Sequence, residues 1–232
     1  MKKNITLITF LLCSLISWAQ IPAGYYNTAT GTGLTLKTNL KKIIDNVSDG
    51  IPSEHLHADQ GYAALWTLYT HTAFRDNYYE NDGSLLDLYS ENPSGADPYI
   101  YSTTTQQCGS YSSEGDCYNR EHLIPQSYFD GYATNPMKND PFFVVPSDGK
   151  VNGDRNNLPF GKVGTATYTS QNGSKRGNGI NSGYALGYSG VVFEPIDEFK
   201  GDVARAFFYF ATRYEDNMDE FYSSANAATC EA

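Results

Sequence analysis

One apolar run, Phe142-Phe143-Val144-Val145, lies between two polar knots, and this arrangement restricts the fold more than anything else in the 232 residues. The first knot is Asn119-Arg120-Glu121-His122. The second is Val151-Asn152-Gly153-Asp154-Arg155-Asn156-Asn157, entered through Pro146-Ser147-Asp148-Gly149. Four aromatic and β-branched residues in a row read as a buried strand. The turn that follows is expected to start a helix carrying Asn152, with Gly153 allowing close approach. His122 is expected on an earlier strand that the Pro125 ring closes, so the unit reads as strand, strand, helix. Adjacent residues of a straight strand face opposite ways, so Glu121 and His122 can share a site only at a bulge or a strand end.

The residue types in the two knots suit phosphodiester hydrolysis, which needs a base for water, a cation against the growing charge and donors for the phosphate. His122 fits the base, since an imidazole with an ordinary pKa of about 6.5 is available neutral. Glu121 and Asn152 offer hard oxygens of the kind Mg²⁺ accepts while keeping most of its waters, and Mn²⁺ or Ca²⁺ would accept them too. Arg120 and Arg155 can grip phosphate oxygens in pairs. The same residues equally suit an Asx-rich turn, or a calcium loop built on Asp148 and Asp154.

Elsewhere the chain reads as α+β. Leu36, Leu40, Ile43, Ile44 and Val47 recur at helical spacing over 34–47, with Gly50 as a stop. A second helix is expected over 61–71, with His71 answering carbonyls at its end. His55 and His57 alternate around Leu56 without a third ligand nearby and read as loop residues. Residues 85–89 and 99–101 read as short strands, 161–190 as coil with one hairpin, and 191–194 as a strand. The adjacent cations Lys175 and Arg176 fall in that coil and read as solvated. A helix from Asp197 to about Tyr214 shows Val203, Phe207, Phe210 and Ala211 on one side, with Ala204 and Phe208 adjoining.

Lys2-Lys3, an apolar run from Ile5 to Ile16 and Ser17-Trp18-Ala19 read as a signal peptide over residues 1–19, with a single domain over 20–232. The run is shorter than the ~20 residues a membrane span needs, so a monomer exported to the medium or the periplasm, without a membrane partner, is expected. Oxidising surroundings favour a Cys108–Cys117 disulfide across a loop rich in Gly and Ser, leaving Cys230 over. Net charge goes from −10 to −12 without Lys2 and Lys3, fourteen cations facing 26 acids. That excludes a protein gripping nucleic acid with its whole surface, but not one whose few cations converge beside a metal.

Cys117-Tyr118-Asn119-Arg120-Glu121-His122, Pro125-Gln126-Ser127-Tyr128-Phe129 and Asp148-Gly149-Lys150-Val151-Asn152-Gly153-Asp154-Arg155-Asn156-Asn157 with Pro159-Phe160-Gly161 resemble the signature of the secreted bacterial endonuclease I family. The likeness runs in order from about Leu34 to Tyr214. It implies a His-Me finger, or ββα-metal, core with packed surrounding helices, acting without sequence preference on DNA and on RNA to leave 5′-phosphates. It puts the base on His122 and the Mg²⁺ ligands on Glu121 and Asn152. Asn119, Lys150 and Asn157 are the accompanying candidates for substrate contact.

Three departures stand out. Relatives carry an arginine between the histidine and the second strand, where this chain has only Lys138, so that role passes to Arg120 or Arg155. Asp140-Pro141-Phe142-Phe143-Val144 replaces a common Asp-Leu-His-His-Leu. A further helix and an Asn-Arg-Asn-Pro stretch expected after Tyr214 are absent, so the chain reads as shortened. The competing reading is a secreted nucleic-acid-binding or adhesion module that keeps the scaffold without turnover.

Overall fold

The structure is a computed structural model describing residues 21–54, 56, 58–102, 105–129, 136–180 and 190–218. The expected leader, the pair His55 and His57, and Cys230 lie outside the described residues. The class is α+β: the described residues form four α-helices and two small antiparallel sheets. No helix among the described residues is long and apolar enough to cross a membrane.

The core unit follows the expected order. β1 (Tyr118–His122) pairs antiparallel with β2 (Val144–Asp148), and α3 (Gly149–Arg155) follows at once. Two helices precede it, α1 (Gly33–Ile44) and the short α2 (Ala64–Leu68). Register runs without a shift from Tyr118 opposite Asp148 to His122 opposite Val144. Glu121 and His122 are therefore the last two residues of a regular strand, with no bulge between them. Pro146-Ser147-Asp148, expected as a turn, belongs to β2. A proline is tolerated there because each strand of a two-stranded ribbon is an edge. Asp148 then turns strand into helix: its carboxylate accepts from Val151 N at 2.8 Å, capping α3, and from the Tyr101 hydroxyl and Gly115 N.

A second sheet holds β3 (Val163–Thr169), β4 (Lys175–Gly179) and β5 (Val191–Glu194), joined antiparallel in that order. The hairpin expected within 161–190 is β3–β4. Arg176 is not merely solvated, since it pairs with Asp154 of α3 at 2.9 Å and ties the second sheet to the first unit.

α4 (Asp197–Arg213) crosses the core, but with a different face inward than the sequence suggests. Phe199, Val203, Ala206, Phe210 and Arg213 are buried, while Phe207 is 38% and Phe208 75% exposed. The stripe is chosen by its partners: Phe210 stacks on Phe129 and meets Phe143 edge-on at centroid distances of 5.3 and 5.1 Å. Residues 85–89 form no strand. Asp87 bends them, its carboxylate accepting from Tyr89 N and its carbonyl from Ser90 N and Glu91 N. His71, expected to answer helix-end carbonyls, instead accepts from Ala73 N at the start of a 3₁₀ turn.

Candidate active site

Strand alternation separates β1 into two chemically different faces. Asn119 and Glu121 point towards α3, whereas Arg120 and His122 point towards α2 and the segment before β2.

On the α3 face, Glu121 is 2% exposed. Its Oε1 accepts from Arg155 at 2.9 Å and from the Tyr89 hydroxyl at 2.8 Å. Burial pushes the Glu121 carboxyl up, and Arg155 beside it opposes that push. Arg155, 1% exposed, also donates to the carbonyls of His122 and Leu123, both at 2.6 Å, with its guanidinium over the Phe160 ring. The phosphate contact expected for Arg155 is therefore not the contact this side chain makes: its donors hold the end of β1. Asn152, half-buried on α3, gives its amide N–H to Asn119 Oδ1 at 2.6 Å. The Asn152 amide oxygen is not used by that bond and remains an acceptor on the helix that also carries Arg155. A carboxylate and an amide oxygen are hard donors, and that set fits Mg²⁺ with water completing the sphere.

α3 is pinned from outside as well. The Cys108–Cys117 disulfide forms as expected, and its loop lays the Tyr111 ring against Gly149 and Gly153. A Cβ at Gly149 would fall 2.6 Å from a Tyr111 ring carbon, so glycine is required for this approach. The close approach expected at Gly153 is thus filled by Tyr111.

On the opposite face His122 is 7% exposed. Its Nε2 lies 3.1 Å from the Lys138 carbonyl, which can only accept, so Nε2 carries the proton. Nδ1 then has a free lone pair, towards which the Gln126 amide donates at 3.3 Å. Burial, helped by the nearby cations Arg120, Arg155 and Lys138, lowers the imidazole pKa to about 4 against the opposing hydrogen bond that the ring donates to the Lys138 carbonyl. The ring is neutral at ordinary pH. Beside it, the Arg120 guanidinium lies between Tyr62 and Trp66, 3.4 and 4.3 Å from their ring centroids, and donates to the Tyr62 carbonyl. Lys138 Nζ sits 4.8 Å from the Tyr62 ring on the same side.

Of the remaining candidates, Lys150 pairs with Asp154 on its own helix, and Asn157 is exposed with its carbonyl accepting from Tyr128. Asp148 and Asp154, the basis of the calcium-loop alternative, are engaged in the α3 cap and in ion pairs with Lys150 and Arg176. Sequence reasoning did not reach Tyr62, Tyr89, Gln126 or the Lys138 carbonyl. Gln126 lies inside a quoted family-like stretch, so a signal existed for it. A backbone carbonyl has no side chain to give it away.

Comparison with known proteins places these residues in a wider group. The family model described as Endonuclease I matches residues 32–231. The chain is 30% identical over 197 residues to an extracellular ribonuclease of Bacillus subtilis (strain 168), covering 82% of this chain and 54% of that protein. It is 31% identical over 193 residues to an extracellular ribonuclease of Bacillus amyloliquefaciens, covering 82% and 53%. The chain thus spans about half the length of these curated relatives. No solved structure matches.

Proposed function

The chain belongs to the endonuclease I family, and from that premise we propose that it is a divalent-metal-dependent nuclease with a ββα-metal core, hydrolysing phosphodiester bonds of DNA and RNA. The observation that carries the proposal is the state of His122: a neutral ring, its Nε2 proton committed to the Lys138 carbonyl and its Nδ1 an acceptor, flanked by Arg120 and Lys138.

In this reading His122 Nδ1 takes the proton from water as the water attacks phosphorus. The Lys138 carbonyl holds the tautomer and steadies the imidazolium that forms. Gln126 keeps the ring oriented until water replaces its amide. Arg120 and Lys138 face the phosphate, and Lys138 rather than Arg155 stands nearest the role that relatives give an arginine. Glu121 and Asn152 would hold Mg²⁺, which supplies positive charge against the developing phosphorane. Arg155 is a positioning residue: it neutralises part of the Glu121 charge and fixes the carbonyls that end β1.

Residues 1–19 serve as a cleaved leader and 20–232 as one domain acting as a monomer outside the cytoplasm, in keeping with the extracellular relatives. Their name, extracellular ribonuclease, supports RNA as a substrate alongside DNA. An acidic protein can work so because local cations and the metal, not the net charge, meet the phosphate.

The test incubates purified protein with plasmid DNA and with single-stranded RNA, in Mg²⁺ and in chelator, beside His122→Ala and Asn152→Ala. Cleavage should vanish in chelator and fall about 10²–10⁴-fold in His122→Ala. Equal cleavage by wild type and His122→Ala would overturn the assignment of the base, and binding without cleavage by wild type would favour a non-catalytic module.

A further inference from the structure

Away from this site, Asp76, Glu80 and Glu91 bring three carboxylates together, each offering an oxygen within 4.8 Å of the others. Glu91 is 1% exposed, and its Oε1 has no hydrogen-bond partner. Asp76 is equally buried and accepts from Tyr78 N and Tyr79 N on Oδ1 and from Asn81 N on Oδ2, so Oδ2 is the oxygen with room for an ion. Glu80 is exposed and opens the cluster to solvent. No lysine or arginine forms an ion pair with any of the three among the described residues. A buried acid oxygen without a hydrogen-bond partner or a cation is unfavourable in its ionised form.

We infer that Asp76, Glu80 and Glu91 form a second divalent-cation site, selective for calcium over magnesium, that braces the segment holding Tyr89. Three oxygens no more than 4.8 Å apart can all lie within about 2.8 Å of one point, which admits the 2.3–2.6 Å of Ca²⁺, and three carboxylates on irregular backbone suit calcium's flexible sphere better than the strict octahedron of Mg²⁺. Solvent on the Glu80 side completes the flexible sphere calcium allows. Half-buried Asp97 stands nearby and adds negative charge. Asp97, Glu80 and Asp76 place negative charge around Glu91, and no ion pair opposes it among the described residues. The consequence reaches the first site, because Tyr89, two residues before Glu91, donates to Glu121. Asn172 of the β3–β4 turn also donates to the Glu91 and Leu88 carbonyls, so the braced segment contacts the second sheet as well.

The inference does not depend on the nuclease reading, and the experiment keeps the two apart. In an Asn152→Ala background, which removes one of the two proposed Mg²⁺ ligands, calcium binding is measured by calorimetry and melting temperature at pH 8, without nucleic acid. One Ca²⁺ should bind, and at a hundredfold excess over Kd the melting temperature should rise about 5–10 °C. Magnesium should give less than half that rise. Adding Glu80→Gln, at an exposed position that folding tolerates, should abolish the shift, and so should Glu91→Gln. A background without a calcium shift, or one whose shift survives Glu80→Gln, would overturn the site. A proton shared by Glu80 and Glu91 in place of an ion would also overturn it, and would appear as a melting temperature that falls towards pH 8 and does not recover with calcium.

Discussion

Glu121 and Glu91 are hidden from water to the same degree, 2% and 1% exposed, yet their surroundings are opposites. Glu121 meets a guanidinium and a phenol, so the protein itself supplies the charge and the proton that burial demands. Glu91 meets Asp97, Glu80 and Asp76, and the protein supplies nothing of the kind. The difference teaches that burial alone does not say what a carboxylate is for. One is held by the chain and can lend its remaining acceptor capacity to a cation. The other is left for an ion to satisfy.

The comparison breaks most visibly at Arg155. Arg155→Met should leave Glu121 buried without its cation and strip the His122 and Leu123 carbonyls of donors. It should destabilise the fold by about 3–5 kcal/mol in urea unfolding; a loss under 1 kcal/mol would mean that water, not Arg155, satisfies Glu121. Tyr89→Phe removes one bond to a charged acceptor and should cost about 1.5–3 kcal/mol by the same assay, with the ion pair intact.

Glu91 should answer with the opposite sign. In chelator, Glu91→Gln should be as stable as wild type or more stable at pH 8, by up to about 1 kcal/mol. The sign follows from linkage. The folded pKa is raised to about 8 from an ordinary 4.5, so the folded state holds this proton more tightly than the unfolded. Its contribution to stability is fully present below about 4.5, declines as pH rises and is gone above 8. Melting temperature against pH in chelator should therefore slope downwards over that window more in wild type than in Glu91→Gln.

The reverse face of β1 offers the mildest effect. With the His122 pKa lowered to about 4, the imidazole stays neutral well below its ordinary range. The acid limb of kcat/KM should then fall near pH 4, leaving activity at pH 6 about fourfold above what an unshifted histidine would allow. A limb centred on 6.5 would show that His122 is better solvated than the structure indicates.

Much of this was legible in the residues. Helical spacing found α1 and the length of α4, the apolar run 191–193 ahead of Pro195 found β5, and the short loop of Gly and Ser found the disulfide. The strand, strand, helix order followed from one apolar run between polar knots. Misreadings arose where a distant partner chose the buried face or a local side-chain bond displaced a strand. Phe208 looks like core until Phe129 and Phe143 claim Phe210 and leave it 75% exposed. Leu85 to Tyr89 looks like a strand until Asp87 takes over the local backbone donors.

Residue order was enough to mark α1, α4, β5 and the strand, strand, helix unit, because periodicity and functional groups are local properties. It could not assign charges to partners. Arg155 reads as a phosphate clamp and becomes the counter-ion of Glu121, 34 positions away. Lys138 enters through its carbonyl, and Glu91 gathers acids with no cation among them. Those outcomes depend on which groups chain closure brings within a few ångströms out of reach of water, where Coulomb interactions grow strong enough to set the state of every ionisable group.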